Sequence, residues 1–479
     1  MLFSRLAGED WKKEHDDFDV TGICYDSRNV EKGNVFVAIK GLVQDGHKYA
    51  KMAEEKGAAV IVAEDKVDVN IPVFYVENTK RTIAEMSAEF FGNPSGKFKL
   101  IGVTGTNGKT TTTYLIKSIF EAAGKRVGII GTNQNIIGDK VLITQSTTPT
   151  TPNALELQKL FAEMAEGGAE YVVMEVSSHA LELDRVYGCD FDTCIFTNLT
   201  RDHLDFHKTM ERYYEAKAKL FTMCGTAVIN IDDESGKRIA ESAECKKVTV
   251  SINEPSDMRG RNISVSAEGI RFDVDIDNKE ENIHLPIPGR FNVYNSLGAI
   301  AAASVMGIDT GSIKKGLESV EGVTGRVEVL DTGTDYKVII DYAHTPDGIK
   351  NIISTVAEFA EGRVITLFGC GGDRDITKRP IMGEIAGELS DYCIITSDNP
   401  RTEEPMNIIR DIESGMKKTG CEYIVIEKRR EAIGYALDFA QKGDVIILAG
   451  KGQETYQIIG NEKIDFDERV IVHQYLKKH

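Results

Sequence analysis

Seven consecutive residues, Gly105, Thr106, Asn107, Gly108, Lys109, Thr110 and Thr111, carry the chemistry of the stretch GVTGTNGKTTTT, which follows directly on the apolar run KLI. A strand, a glycine-rich turn and a helix beginning near Thr110 would aim backbone N–H groups and a helix N-terminus at phosphate oxygens. Lys109 would add a point charge to the phosphates, and the Thr110 hydroxyl could ligate Mg2+. The usual phosphate loop has a glycine five residues before its Gly-Lys pair; here that position is Val103, flanked by Gly102 and Gly105. The departure argues against an ordinary kinase or GTPase.

Further along, a carboxylate, two imidazoles and an amine stand out. Glu175 follows the apolar YVVM and precedes Ser177, Ser178 and His179, which places a carboxylate at a strand end where it could serve magnesium directly or through water. His203 and His207 bracket DHLDFH, and each could be a ligand or a structural imidazole. Lys217, in YYEAKAKLF, stands three and four residues before Leu220 and Phe221, so on a helix it shares their apolar face. A desolvated ammonium loses its proton readily, and a neutral amine can add carbon dioxide to form an anionic carbamate. A lysine snorkelling along the helix surface accounts for the same residues.

The elements that must position these groups alternate along the chain. From 98 to about 325 the strand candidates KLIGVT, RVGIIGT, YVVMEV, CIFTNL and AVINI alternate with helical patterns such as TTTYLIKSIFEAAG and ALELQKLFAEMAEGG. Such alternation predicts a mainly parallel sheet covered on both faces. NISVSAEGIRFDVDI has period two and predicts an antiparallel appendage. The block 326–479 returns to alternation with KVIIDYA, RVITLFGC, YCIITSDNP, YIVIEK and DVIILAGKG, while 1–97 holds VFVAI and AAVIVAE and ends at the boundary cluster GNPSG. The expected fold class is therefore α/β with three domains, 1–97, 98–325 and 326–479, the central sheet being of phosphate-loop type and the last Rossmann-like. Nearly every loaded segment follows the carboxyl end of a strand candidate, where open α/β sheets place their ligands.

The 479 residues fit about three domains. With 57 basic against 75 acidic residues the net charge is −18, which argues against nonspecific binding to nucleic acid or acidic membranes. No run of about 18 apolar residues appears that could span a bilayer, and the opening MLFSRLAGEDWKKEHDD has no apolar signal region, so a cytoplasmic location is expected. Eight scattered cysteines without a CxxC pair read as reduced thiols.

Together, GVTGTNGKTTT, MEVSSHALELDR, TNLTRDHLDFH, YYEAKAKLF, GRFNVYNSLGA, DYAHTPD, FGCGGDRDITKRPIMG, SDNPRTEEP and AGKGQETYQ resemble the Mur ligases, in order and across nearly the whole chain. The resemblance implies that ATP phosphorylates the γ-carboxyl of a D-glutamyl residue in UDP-N-acetylmuramoyl-L-alanyl-D-glutamate. An amino acid's amine then attacks the acyl phosphate. It implies that residues 105–111 hold ATP with Asn292, Asn295, Arg326 and His344, and that Glu175, His203 and a carbamylated Lys217 serve magnesium alongside Thr110. Catalysis would rest on Lys109, Glu175, His203 and Lys217. In the first domain YDSR and GLVQDG match the uridine-nucleotide site, giving Tyr25, Ser27, Leu42, Val43 and Gln44; Thr150, Thr151, Ser177 and Arg185 match the muramoyl-peptide contacts. A monomer is expected.

The incoming amino acid is implied by Asp398, Asn399, Pro400 and Arg401, a DNPR segment that resembles the members adding meso-2,6-diaminopimelate. That molecule is lysine with a second carboxylate at its far end, and a guanidinium can hold a carboxylate by two parallel hydrogen bonds. Lysine would instead bring an ammonium toward the same arginine. Arg374, Gly450 and Glu454 match the rest of this site, Glu454 being suited to the distal ammonium. A folylpolyglutamate synthase would share the loop and architecture but is disfavoured by the DSR, GLVQDG and DNPR segments. A non-catalytic scaffold is disfavoured by Lys109, Glu175, His203 and Lys217 all being present.

Overall fold

Alternate residues of VFVA face opposite ways in a strand, and here both sides are apolar, so the strand must be covered on both faces. In the computed structural model, which describes residues 1–8, 17–41, 44–143, 148 and 150–478, that is its fate. Four parallel strands, β1 (Gly22–Cys24), β2 (Asn34–Val37), β3 (Val60–Ala63) and β4 (Val73–Tyr75), lie in sequential order. Val35, Val37, Val60 and Val62 pack with Phe3 and Ile83 on one face, while Phe36, Ala38 and Ile61 pack with Ala50 and Ala53 on the other.

Two compact units make up the chain, 1–102 with 125–193 and 222–225, and 103–124 with 194–221 and 226–479. The division falls inside strands of a nine-stranded sheet. Its members are β5 (Lys99–Thr104), β6 (Val127–Ile130), β7 (Ile136–Ile137), β8 (Lys140–Val141), β9 (Tyr171–Glu175), β10 (Phe191–Phe196), β11 (Cys224–Asn230), β12 (Lys246–Ser251) and β13 (Met258–Arg259). Their order is β13-β12-β11-β10-β5-β9-β6-β7-β8. The pairs β6/β9, β11/β12 and β12/β13 are parallel, and the short β7 and β8 at one edge run antiparallel. The expected appendage is a three-stranded antiparallel sheet of β14 (Arg261–Ser266), β15 (Gly269–Ile276) and β16 (Lys279–Leu285).

The C-terminal sheet has the order β17-β18-β22-β19-β20-β21 and comprises β17 (Glu328–Leu330), β18 (Lys337–Asp341), β19 (Val364–Phe368), β20 (Tyr392–Ile395), β21 (Glu422–Val425) and β22 (Val445–Ala449). All neighbours are parallel except β17 on β18. Every residue of β19 and β22 is buried, as strands covered on both faces require. A hairpin of β23 (Tyr456–Ile459) and β24 (Glu462–Asp465) follows. The α/β expectation is borne out, with the loops after β18, β19, β20 and β22 carrying DYAHTPD, FGCGGDRD, SDNPR and AGKGQE.

Candidate functional site

The phosphate-type loop joins β5 to the helix Lys109–Ala122, which starts one residue before the sequence suggested. Side chains cap the helices after Asn78, Thr209, Asp233, Asp309 and Thr345, yet none caps this one. Its N-cap, Gly108, sits at φ 86°, and a Cβ there would come within 2.3 Å of Asn295 Oδ1. Gly105, at φ 148°, lies so close to Thr197 that a Cβ would be 1.8 Å from its Oγ1. Only glycine fits both positions. Asn198 Oδ1 accepts from the Asn107 N–H at 2.9 Å, and Thr197 Oγ1 donates to Asn107 O at 2.6 Å, fixing the loop on the end of β10.

Residues from the helix Phe291–Val305 and from the segments flanking β17 and β18 approach this loop. Arg326 Nη2 donates to Thr110 Oγ1 at 3.2 Å while its guanidinium lies 4.7 Å over the Tyr342 ring, and its buried Nε has no partner among the described residues. Asn107 Nδ2 donates to Asp347 Oδ2 at 2.8 Å. Asn295 donates to Asn292 Oδ1 at 2.8 Å, and Asn292 to the carbonyl of Pro288 at 2.7 Å. An uncapped helix start beside an orphaned guanidinium nitrogen is suited to an anion.

Lys109 and Lys217 converge on one atom: both ammonium groups donate to the Gly105 carbonyl, at 2.9 and 2.8 Å. Lys109 also reaches Thr106 O at 2.8 Å. The helix Met210–Ala218 ends just beyond Lys217 and passes into a 3-10 turn, so Leu220 and Phe221 do not continue its face as expected, although all three are buried. Lys217 is 1% exposed, lies 4.8 Å over the Tyr213 ring and has no carboxylate in ion-pair range among the described residues. Burial, reinforced by Lys109 and opposed by Asp202, pushes its amine well below the ordinary lysine range.

His203 adopts φ 54°, and its Nε2 lies 3.3 Å from Asp202 Oδ2, with His344 Nε2 at 3.9 Å from the same oxygen. Burial works to raise the Asp202 carboxyl, but His203, His344 and Lys378 outweigh it and hold the group well below the carboxylate range. His344 binds Tyr342 O through Nδ1 at 2.8 Å, and Lys378 donates to His344 O at 2.8 Å. Crowding around the imidazole and the Lys378 charge push His344 down to about 4, against the pull of Asp202. His207 is buried and stacks on Tyr213 at 5.0 Å.

In the other unit, Glu175 at the end of β9 accepts from Thr132 N at 2.8 Å and Thr132 Oγ1 at 3.0 Å, and Thr132 Oγ1 meets Thr150 Oγ1 at 3.0 Å. Thr151 bridges the Glu175 carbonyl and Ser177, and Arg185 donates to Thr151 O at 3.1 Å. Glu175, Thr150, Thr151, Ser177 and Arg185 thus form one network. Tyr25 donates to Glu156 Oε1 at 2.6 Å and accepts from Asn153 at 3.1 Å; Ser27 is buried against Met52. Gln44 accepts from the Gly41 N–H through its carbonyl at 2.9 Å, while Leu42 and Val43 lie outside the described residues. Among the described residues no three His, Cys, Asp or Glu side chains cluster as a metal site.

The last cluster gathers at the ends of β19, β20 and β22. Arg401, held at φ 51° by its N–H on Ile458 O and its carbonyl under Gly460 N, donates Nη1 to Gly372 O at 2.7 Å. Burial and the nearby Arg374 lower its guanidinium, opposed by Asp398, Glu454 and Asp373: two like charges converge there. Pro400 turns the chain between Asn399 and Arg401, and a Cβ on Gly450 would come 2.7 Å from Asp398 Oδ2. Asn399 Nδ2 donates to Glu454 Oε2 at 2.9 Å. Asp202, Asp347, Lys378 and Lys451 escaped the sequence reading. Each adjoins a residue or motif that was singled out, but none has a spacing of its own that marks it.

The chain belongs to the Mur ligase family. Its residues 19–90 match that family's catalytic domain, 103–303 its middle domain and 325–452 its glutamate ligase domain. The UDP-N-acetylmuramoyl-L-alanyl-D-glutamate–2,6-diaminopimelate ligase of Caldanaerobacter subterraneus subsp. tengcongensis is 50% identical over 467 residues, 97% of this chain and 96% of its own. The ligase of the same name from Clostridium tetani is 49% identical over 469 residues, 96% of each chain. A solved structure of a protein so named matches with a TM-score of 0.68 at 33% identity, over 96% of this chain and 95% of that one.

Proposed function

We propose that the protein is an ATP-dependent amide ligase that joins meso-2,6-diaminopimelate to UDP-N-acetylmuramoyl-L-alanyl-D-glutamate in cytoplasmic peptidoglycan precursor synthesis. The observation that carries this reading is a phosphate loop completed by Arg326 and Asp347 in the same chain as the Arg374–Arg401–Glu454 cluster. Residues 1–97 would hold the uridine nucleotide, 98–325 ATP and 326–479 the amino acid, in a monomer. No helix among the described residues is long and apolar enough to cross a membrane, in keeping with soluble substrates.

A carboxylate is a poor electrophile, so the γ-carboxyl of D-glutamate must first gain a leaving group. The uncapped helix start, Lys109 and Arg326 would bind the ATP phosphates, Asn292, Asn295 and His344 would orient the nucleotide, and the fixed cations would stabilise charge developing in transfer. The diaminopimelate amine then displaces phosphate, leaving the amide, ADP and phosphate. Thr110, Glu175, His203 and Lys217 as N6-carboxylysine would serve Mg2+; an amine whose charged form is disfavoured by burial fits carbamate formation. When bound, the ion screens phosphate charge. Tyr25, Ser27, the 42–44 stretch, Thr150, Thr151, Ser177 and Arg185 would hold the nucleotide substrate, and Arg374 and Arg401 the distal carboxylate of the amino acid.

Purified protein given ATP, Mg2+ and the dipeptide nucleotide should release phosphate with meso-diaminopimelate and far less with L-lysine. Equal rates, or a preference for lysine, would overturn the specificity; no amino-acid-dependent turnover would overturn the ligase reading.

A further inference from the structure

Lys451 lies fully buried between two glycines of left-handed φ, Gly450 at 112° and Gly452 at 53°. Those glycines are wedged against Asp398 and Tyr342, which fixes the backbone from which the lysine projects. Its ammonium donates to Asn399 Oδ1 and Glu454 Oε2, both at 3.1 Å, and lies 5.9 Å from the faces of Tyr456 and Phe466. A buried ammonium is tolerated when it is paired and hydrogen-bonded, and here the pairing has a directional consequence.

Asn399 Oδ1 receives two donors, Lys451 Nζ and the Ile458 N–H at 2.9 Å, while Nδ2 faces the Glu454 carboxylate at 2.9 Å. A flipped amide would set donor against donor twice, so the network admits one orientation. Both Lys451 and Asn399 then bind the same oxygen of Glu454, Oε2. The other oxygen, Oε1, takes no hydrogen bond among the described residues and is not sealed from solvent.

We propose that Lys451 is a positioning residue for the incoming amino acid, locking Asn399 and Glu454 so that Glu454 Oε1 is presented to an ammonium group of the substrate. The inference rests on reading this cluster as the diaminopimelate pocket. Lys451 touches no substrate in this account; it acts through Glu454 and Asn399. Burial works to raise the Asp398 carboxyl, and the Lys451 charge, with Arg429, helps hold it below the ordinary carboxylate range.

Steady-state kinetics of Lys451→Met, Lys451→Arg, Glu454→Gln and the Lys451→Met/Glu454→Gln double variant test it on the full chain. In Lys451→Met the KM for meso-diaminopimelate should rise at least about thirtyfold, with the KM for ATP within about twofold, as expected when one partner of a buried charge pair is removed. Lys451→Arg should recover much of that loss. On the Glu454→Gln background the Lys451→Met change should cost less than about fivefold, because the group it positions is already altered.

Equal rises in both KM values, or losses that simply multiply in the double variant, would overturn the positioning role. If Lys451→Met does not fold, Lys451→Arg and Glu454→Gln still decide it: the first must stay near wild type and the second must raise the diaminopimelate KM alone. A wild-type protein without diaminopimelate-dependent phosphate release would instead bring down the pocket reading, and this inference with it.

Discussion

Replacing Gly108 by alanine tests whether the loop's shape, rather than its composition, binds the nucleotide. At φ 86° the new side chain must sit in the left-handed region, at a cost of about 1–2 kcal/mol. Its Cβ would also stand 2.3 Å from Asn295 Oδ1, so Asn295 must swing away and give up its 2.8 Å bond to Asn292, for about 1 kcal/mol more. The sum, about 2–3 kcal/mol, makes the present arrangement a minor state and weakens apparent ATP affinity by about 30- to 140-fold. Gly124→Ala is the control: its φ of 73° carries a similar backbone cost, but nothing lies within 4 Å of the added Cβ. Phosphate release titrated with ATP should show the loss in Gly108→Ala only, while thermal unfolding shifts in both. An ATP KM within threefold of wild type in Gly108→Ala, with unfolding shifted as in Gly124→Ala, would refute the reasoning.

Lys217→Ala should abolish turnover and regain part of it with added short-chain carboxylates; turnover at the wild-type rate would remove the carbamate role. His344 titrates at about 4 in the fold against 6.5 for a free histidine, so the unfolded chain binds more protons between those values. Its contribution to stability is complete above pH 6.5 and is lost as pH falls toward 4, and urea midpoints at pH 7.5 and 5 should differ less in His344→Gln than in wild type. Tyr25→Phe removes the 2.6 Å donor to Glu156, and should cost about 1–2 kcal/mol in urea unfolding and raise the KM for the dipeptide nucleotide while leaving that for ATP unchanged.

Much of the architecture was legible because burial on both faces writes a strand as an unbroken apolar run. VITLF and VIILA became β19 and β22 with every residue buried. The two-residue strands β7, β8 and β13 carry too little pattern to be seen, and the hairpin of β23 and β24 is largely exposed. Lys109 announced itself through its spacing after glycine. Lys451 did not: it is one of 57 basic residues, and only the folded positions of Asn399 and Glu454 give it a purpose. Asp202 was overshadowed by the adjacent His203, though the folded chain gathers His203, His344 and Lys378 around the aspartate. The change from α-helix to a 3-10 turn after Ala218 likewise depends on tertiary packing that a helical repeat does not encode.

The contacts from Asp347 to Asn107 and from Arg326 to Thr110 span 240 and 216 residues of sequence. A ribosome adding about 5–20 residues per second makes Asn107 roughly 10–50 seconds before Asp347 exists. During that interval the glycine-rich turn lacks Asp347, and for most of it Arg326 as well. A nascent chain or a prematurely released fragment ending before residue 347 therefore carries the full motif without its finished form. Competence for the nucleotide is acquired late in translation, when the last third of the polypeptide folds back onto a loop made long before.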